Sequence, residues 1–352
     1  MSEIVFADDG IEFDGTTPDR RPLGGVENAT VALAEALAAR GHRVTVCNRC
    51  AAPLDHRGVR WQPLQDGVPA SPDLYVANRE HQLLLRAPLA RRRVLWLHNP
   101  AGYIGERPYR WKLALTRPTL VVLGDYHAAT VPAWFPHSRV ATIPYGLSAA
   151  HLAVPPSPRA VPPVRRAIFT SNPARNLDWL LDVWSERIRP RVPDAELHLF
   201  SGPEVYQMTR GSGYELMRRV LDRAESLADA GVVRRQPVGR SALIAELMQS
   251  RAMLYRSHEQ ETFCLALADA QALGVPCVVQ PIGSAPERVR DGATGTVAAD
   301  EAAFADAAVW LLTDDALWRR MHEAALGSQR TRTWDDAARD FEALLPPPSR
   351  SR

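Results

Sequence analysis

The sequence predicts an α/β protein built from two doubly wound, parallel-sheet domains in tandem. Three observations carry that prediction. At 352 residues the chain is about twice a typical domain of roughly 150 residues, enough for a core in each half. Short β-branched apolar runs alternate with longer stretches of helical periodicity, the pattern of parallel strands joined by crossover helices. A proline-dense stretch, Val154-Pro155-Pro156-Ser157-Pro158 running on to Val161-Pro162-Pro163, breaks the alternation, which then restarts.

In the first half, strands are expected at 4–7, 43–47, 73–77, 93–98, 119–123 and 139–143. Helices are expected at 26–40, ended by Gly41, and near 80–86, 107–115 and 125–131. In the second half, strands fall at 167–170, 196–200, 252–255 and 276–279. Helices fall at 177–189, 214–228, 241–249, 263–273 and 285–290, with two more from Glu301 and Asp314. The division is then 1–152 for the first domain, 153–166 for a linker and 167–332 for the second domain. A closing helix at 333–345 and a tail at 346–352, expected to be disordered after Pro346-Pro347-Pro348, complete it.

Composition narrows the function classes. Hydrophobic residues at 46% and charged residues at 23% match globular usage. No apolar run reaches the roughly 20 residues of a spanning helix, and the start lacks a basic region before an apolar one, so a cytoplasmic protein is expected. A net charge of +2 is too small to point to nucleic acid. Lys112 is the single lysine, so every other cationic contact must come from a planar guanidinium fork. Four cysteines are too few for a disulfide framework. Cys47-x-x-Cys50 has no matching second pair and there is no D-x-D, so no metal is expected.

The densest chemical signal runs from Arg256 through Ser257-His258-Glu259-Gln260-Glu261-Thr262-Phe263-Cys264-Leu265 to Asp269 and on through Ala270, Ala272 and Gly274 to Pro276. A strand ends, a polar loop carries a carboxylate, and a helix begins whose free N–H groups make an anion site. Asp269 follows Glu261 by eight residues, about two helical turns, so both acids can face one crevice. Hydroxyls at the acids and a diphosphate at the amides suit a sugar nucleotide.

This segment resembles the E-x7-E segment of the retaining GT-B glycosyltransferases of family GT4, with Thr262, Cys264 and Asp269 departing from the usual glycines and second glutamate. Other stretches resemble that family in the same order. Leu23-Gly24-Gly25-Val26-Glu27 is similar to its G-G-x-E loop, and Ile143-Pro144-Tyr145-Gly146 to its P-N-G turn. Ser171-Asn172-Pro173-Ala174-Arg175 is similar to its diphosphate-binding segment, with Thr170 where an arginine is usual. Ile282-Gly283-Ser284-Ala285-Pro286-Glu287 is similar to its G-G-x-x-E stretch. The resemblance implies a GT-B fold with two Rossmann-like domains facing a cleft and a C-terminal helix crossing back to the first. It implies catalytic roles for Glu261, Arg175 and His98. Donor contacts would come from Gly24, Gly25, Asn172, Arg175, Gly239, Ser257, Glu261, Thr262, Phe263, Cys264, Leu265 and Asp269. A UDP- or GDP-type nucleotide sugar is implied as co-substrate, a hydroxyl-bearing acceptor as partner, and no further cofactor.

His98 also stands at a strand's carboxyl end, where active-site groups gather. Arg107, Arg110 and Lys112, with Trp111 between them, form a basic and aromatic stretch suited to an anionic acceptor or the inner membrane surface. The expected function is retaining glycosyl transfer. Its rivals are a sugar-nucleotide-binding protein without transfer, to which the Thr170 and Asp269 departures give substance, and a GT-B sugar-nucleotide epimerase. A nicotinamide dehydrogenase is disfavoured because no G-x-G-x-x-G follows the first strand.

Overall fold

A computed structural model describes residues 1–134, 137 and 139–347, without the side chains of 107 and 108. The expected tail from 348 onward lies outside the described residues. The chain forms two compact units: Met1–Pro18, Gly25–Gly146 and Thr333–Arg352 make the first, Asp19–Gly24 and Leu147–Arg332 the second.

The first unit holds β1 (Glu3–Ala7), β2 (Arg43–Asn48), β3 (Leu54–His56), β4 (Val59–Pro63), β5 (Leu74–Asn78), β6 (Arg92–Trp96), β7 (Thr119–Val122) and β8 (Arg139–Thr142). They form one sheet in the order β3-β4-β2-β1-β5-β6-β7-β8. All pairings are parallel except β3 with β4. That hairpin is absent from the sequence expectation. Its turn, Arg57-Gly58, has φ of 47° and 78°, the doubly positive geometry that matches strand twist. Arginine in place of asparagine hides it from a motif reading. The period-two burial of Val59, Trp61 and Pro63 around exposed Arg60 is the signal that was there to find.

Central strands are buried past their first residues: all of Ile4, Val5, Phe6 and Ala7 are solvent-free, as a parallel sheet covered on both faces requires. The closing helix, Trp334–Glu342, belongs to this unit. A reciprocal capping box between Thr333 and Asp336 starts it. Phe341 packs edge-on to Trp96 with ring centroids 5.3 Å apart, and Arg40 grips Glu342 with two nitrogens at 2.8 Å each. A Cβ on Gly146 would lie 2.3 Å from Thr333 C and Trp334 N, so the backbones meet there with no room for a side chain.

The second unit holds β9 (Arg166–Phe169), β10 (Glu196–Phe200), β11 (Val232–Arg235), β12 (Ala252–Tyr255), β13 (Cys277–Val279) and β14 (Gly295–Val297). Their order is β11-β10-β9-β12-β13-β14, parallel throughout. β11 and β14, the two edge strands, are absent from the sequence expectation: β11 ends in Arg234-Arg235 and β14 opens on Gly295, so neither presents an apolar β-branched run. The helix expected at 177–189 is an α-helix only over Leu177–Val183 and then widens into a π turn at Trp184–Ile188. The helix expected at 285–290 is the single turn Ala285–Arg288.

Candidate functional site

In the second unit, β12 ends at Tyr255 and the chain passes through residues 256–264 into the helix Leu265–Ala272. Two non-glycine residues take left-handed backbone conformations to make that passage, Ser257 at φ 77° and Cys264 at φ 61°, at a cost that surrounding contacts must offset. Ser257 is buried. Its Oγ donates to the Ile282 carbonyl at 2.8 Å, and its own carbonyl accepts from Asn176 Nδ2 at 2.6 Å. Gly283, at φ 60°, presses on the same loop: a Cβ there would sit 2.4 Å from the His258 oxygen and 2.9 Å from the Glu261 oxygen. The Ser284 N–H donates to that Glu261 oxygen at 3.0 Å. Backbone contacts therefore fix where Glu261 stands.

The Glu261 carboxylate is buried and ion-paired with Arg175. Tyr255 Oη donates to Glu261 Oε1 at 2.7 Å and accepts from Ser171 Oγ at 3.4 Å. Burial holds the Tyr255 hydroxyl above its ordinary value, so it stays a donor. Arg175 stands on a short turn in which Asn172 Oδ1 accepts the Ala174 N–H at 2.8 Å and the Asn172 carbonyl accepts the Arg175 N–H at 2.9 Å. Asn172 thus shapes the turn that carries the cation.

Thr262, Phe263 and Cys264 are buried, and the half-buried Leu265 opens the helix. The Arg288 guanidinium lies 4.4 Å from the Phe263 ring centroid, a stacked cation beside the loop. Burial pushes the Cys264 thiol up to about 12, so it is neutral and unreactive near pH 7. Asp269 is partly buried, and His151 Nε2 approaches its Oδ1 at 3.5 Å. The other ring nitrogen of His151 bonds Ser148 Oγ at 2.8 Å. Desolvation raises the Asp269 carboxyl above its ordinary value, with the charges of His151 and Arg240 opposing it. Gly239 precedes the helix Arg240–Met248, and no atom lies within 4 Å of where its Cβ would be.

The structure thus brings Asn172, Arg175, Ser257, Glu261, Thr262, Phe263, Cys264 and Leu265 into one neighbourhood of the second unit, with Asp269 further along the helix. Gly24 is also in that unit, whereas Gly25 opens the helix Gly25–Ala39 of the first. Tyr255, Asn176 and His151 were not assigned a role from the sequence, and Ser171 and Gly283 stood there only as members of stretches similar to the family. Tyr255 ends β12 and Asn176 follows the turn that carries Arg175, whereas His151 lies in the short helix Ala149–Leu152, away from any stretch with a chemical signal.

His98 lies in the first unit, buried beyond the end of β6. Its Nε2 meets Asn78 Oδ1 at 2.5 Å and its Nδ1 meets the Tyr145 hydroxyl. The neutral tautomer with Nε2–H donating satisfies both contacts. Burial and Arg79 hold its ionisation well below the ordinary histidine value. Asn78 Nδ2 in turn donates to Asp8 at 2.5 Å and to Thr30 Oγ1 at 3.0 Å, while Arg79 bonds Asp8 and Glu27. The glutamate of the Gly-Gly-Val-Glu stretch is therefore held by an arginine.

Chemically, a guanidinium beside the start of a helix attracts an anion, and buried carboxylates accept hydroxyls. Among the described residues, no three His, Cys, Asp or Glu side chains are grouped to hold a metal ion. No helix among them is long and apolar enough to cross a membrane.

Residues 165–314 match the family model described as Glycosyl transferases group 1, which bears out the likeness read from the sequence over that segment. The chain is 37% identical over 90 residues to N-acetyl-alpha-D-glucosaminyl L-malate synthase of Bacillus anthracis, covering 25% of this chain and 24% of that protein. It is 33% identical over 178 residues to D-inositol 3-phosphate glycosyltransferase of Streptomyces avermitilis, covering 46% and 38%. The matched segments thus span well under half of these curated relatives. Among solved structures, sucrose-phosphate synthase of Thermosynechococcus elongatus superposes with a TM-score of 0.74 at 17% identity, covering 98% of each chain. Anabaena Alr3699/HepE, solved with UDP and glucose, gives 0.69 at 14% identity over 97% of this chain and 99% of that one. These likenesses establish the fold as GT-B.

Proposed function

We propose that the protein is a retaining glycosyltransferase that moves a sugar from a nucleotide diphosphate donor to an acceptor hydroxyl. One observation carries the reading: Arg175, Glu261 and Tyr255 converge at the loop that opens the helix Leu265–Ala272, inside the segment matching the group 1 glycosyltransferases. The UDP in the Anabaena neighbour favours a nucleotide sugar as the donor.

In this reading the bond between the sugar's anomeric carbon and the phosphate oxygen breaks as the acceptor oxygen adds on the same face. The departing diphosphate takes the acceptor's proton, so no protein base is required. Arg175 and the first N–H groups of the helix face the charge that grows on the leaving diphosphate, and a preformed site of that kind stabilises the transition state more than the ground state. Glu261, once it shares Arg175 with the phosphate, accepts from a sugar hydroxyl. Asp269 accepts from the ribose, and His151 holds its carboxylate in place.

A nucleotide-sugar binder without transfer is the second reading, favoured by Thr170 at the place of a usual cation. Calorimetric titration with UDP, GDP and their sugars tests what both readings share. Binding of at least one diphosphate nucleotide is expected. Indifference to all of them at millimolar concentration would remove both.

A further inference from the structure

We infer that the first unit carries a docking surface for an anionic membrane, on the outer face of the helix Arg107–Thr116. This is independent of the donor chemistry, since every residue involved lies in the first unit. Leu113 is fully buried on the inner face of that helix. Trp111 and Leu115 are each two positions away, about 200° around the helix, so they stand on the opposite face. They are 55% and 69% exposed. Arg110 stacks 4.9 Å from the ring of Trp134, itself 56% exposed, and Lys112 lies 5.5 Å from the ring of Trp111. The helix packs on the single turn His81–Leu85, with His81 and Tyr109 rings 3.6 Å apart. Leu85 on that turn and nearby Leu89 are exposed as well.

Charge names the occupant. From residue 86 to 117 the sequence holds seven arginines and Lys112 against one acid, Glu106, in a chain whose net charge is +2; of these cations Arg91 is paired with Asp73 at 2.9 Å. Outward tryptophan and leucine flanked by cations on a short helix is the composition that lies in a headgroup layer. The rings and leucines enter the acyl boundary while the guanidinium and ammonium groups meet lipid phosphates. A soluble polyanion would use the charges and leave the tryptophans and leucines without purpose.

The full-length protein is sedimented with sucrose-loaded vesicles of phosphatidylcholine, alone or mixed with phosphatidylglycerol. Binding is expected to the anionic vesicles only. At about 1 kcal/mol per cation near an anionic surface, or about fivefold each, Arg110→Gln with Lys112→Gln should weaken it about 25-fold. Trp111→Ser with Leu115→Ser should weaken it at least as much, with thermal unfolding unchanged because both side chains are exposed. Raising the salt should weaken wild-type binding, since screening acts within about 8 Å at physiological ionic strength. Failure to sediment, equal binding to neutral vesicles, or variants that match wild type would overturn the inference. So would lipid-free self-association lost on Trp111→Ser with Leu115→Ser, which would assign the face to a second copy. Binding to heparin without binding to vesicles would assign it to a soluble anion. Nucleotide binding by the second unit is read in parallel, and its presence or absence leaves these outcomes distinct.

Discussion

Arg175 and Glu261, eighty-six positions apart in sequence, form an ion pair in the second unit, with the Tyr255 hydroxyl on the same carboxylate at 2.7 Å. Glu261 is buried, and a buried carboxylate keeps its charge only when paired and hydrogen-bonded. The cation expected to meet the donor diphosphate is therefore already engaged before any donor arrives. Under the proposed function, a donor phosphate would share Arg175 with Glu261 and so free the carboxylate to accept a sugar hydroxyl.

Arg175→Ala should depress turnover more than donor binding, because negative charge on the diphosphate grows as the glycosidic bond breaks. The loss should be about 2 to 4 kcal/mol of transition-state stabilisation, roughly 30- to 800-fold in kcat. Glu261→Gln, nearly isosteric, should depress transfer while free nucleoside diphosphate still binds. Steady-state kinetics beside calorimetry check both. Unchanged kcat in folded Arg175→Ala would move the cationic role to another residue.

Asp269→Ala should weaken nucleoside diphosphate binding by about 1.5 to 3 kcal/mol, the value of charge-assisted hydrogen bonds to the ribose. His151→Ala should produce a smaller loss in the same measurement, since its ring only holds the carboxylate at 3.5 Å. Equal losses from both would make the histidine a direct contact. Loss from neither would remove Asp269 from the donor site.

Gly283→Ala should disable the site without touching any polar group in it. The new methyl would meet backbone oxygens of His258 and Glu261 at 2.4 and 2.9 Å, at a left-handed φ that alanine resists. A stability loss of about 1 to 3 kcal/mol is expected, with the Glu261 loop displaced. Urea denaturation measures the first and nucleotide-sugar kinetics the second. A variant with wild-type stability and activity would show that the loop yields.

Much of this was legible in the sequence because it is local. The strand-loop-helix run from 252 to 273 announces itself by a polar loop between apolar elements, and within it Glu261 and Asp269 stand at the acidic places of the family segment it resembles. Arg175 stood out by its place in a matching turn. What the sequence hid was pairing across distance and geometry carried by unusual residues. Tyr255 reads as the last core residue of a strand until its hydroxyl is seen on Glu261. Glu27 reads as a helix-entry acid until Arg79 is seen beside it. The β3–β4 hairpin turns on Arg57-Gly58, and Ser257 and Cys264 take left-handed conformations that only the folded contacts enforce. The π turn at Trp184–Ile188 interrupts a helix whose hydrophobic period gives no warning.

Lowering the pH should weaken the first unit through His127. This ring is solvent-free, accepts the Leu123 N–H at Nδ1 and donates from Nε2 to the Asn99 carbonyl, an arrangement that only the neutral ring can make. Burial holds its ionisation down at about 4 against an ordinary 6.5. Because the folded value lies below the unfolded one, stability is complete above about pH 6.5 and falls as the pH drops towards 4. The slope approaches about 1.4 kcal/mol per pH unit, so His127 alone should remove about 2 kcal/mol by pH 5. Urea midpoints between pH 7 and 5 test this alongside the His127 ring shift in NMR. A ring that titrates near 6.5 in the folded protein would contradict it.

Retaining transfer is tested most directly by proton NMR of the wild-type protein incubated with UDP- and GDP-sugars and a panel of hydroxyl acceptors. Release of nucleoside diphosphate is expected together with a new glycosidic signal whose anomeric coupling matches that of the donor. A product of inverted configuration would contradict the retaining assignment, and nucleotide binding with neither transfer nor donor hydrolysis across the panel would contradict catalysis itself.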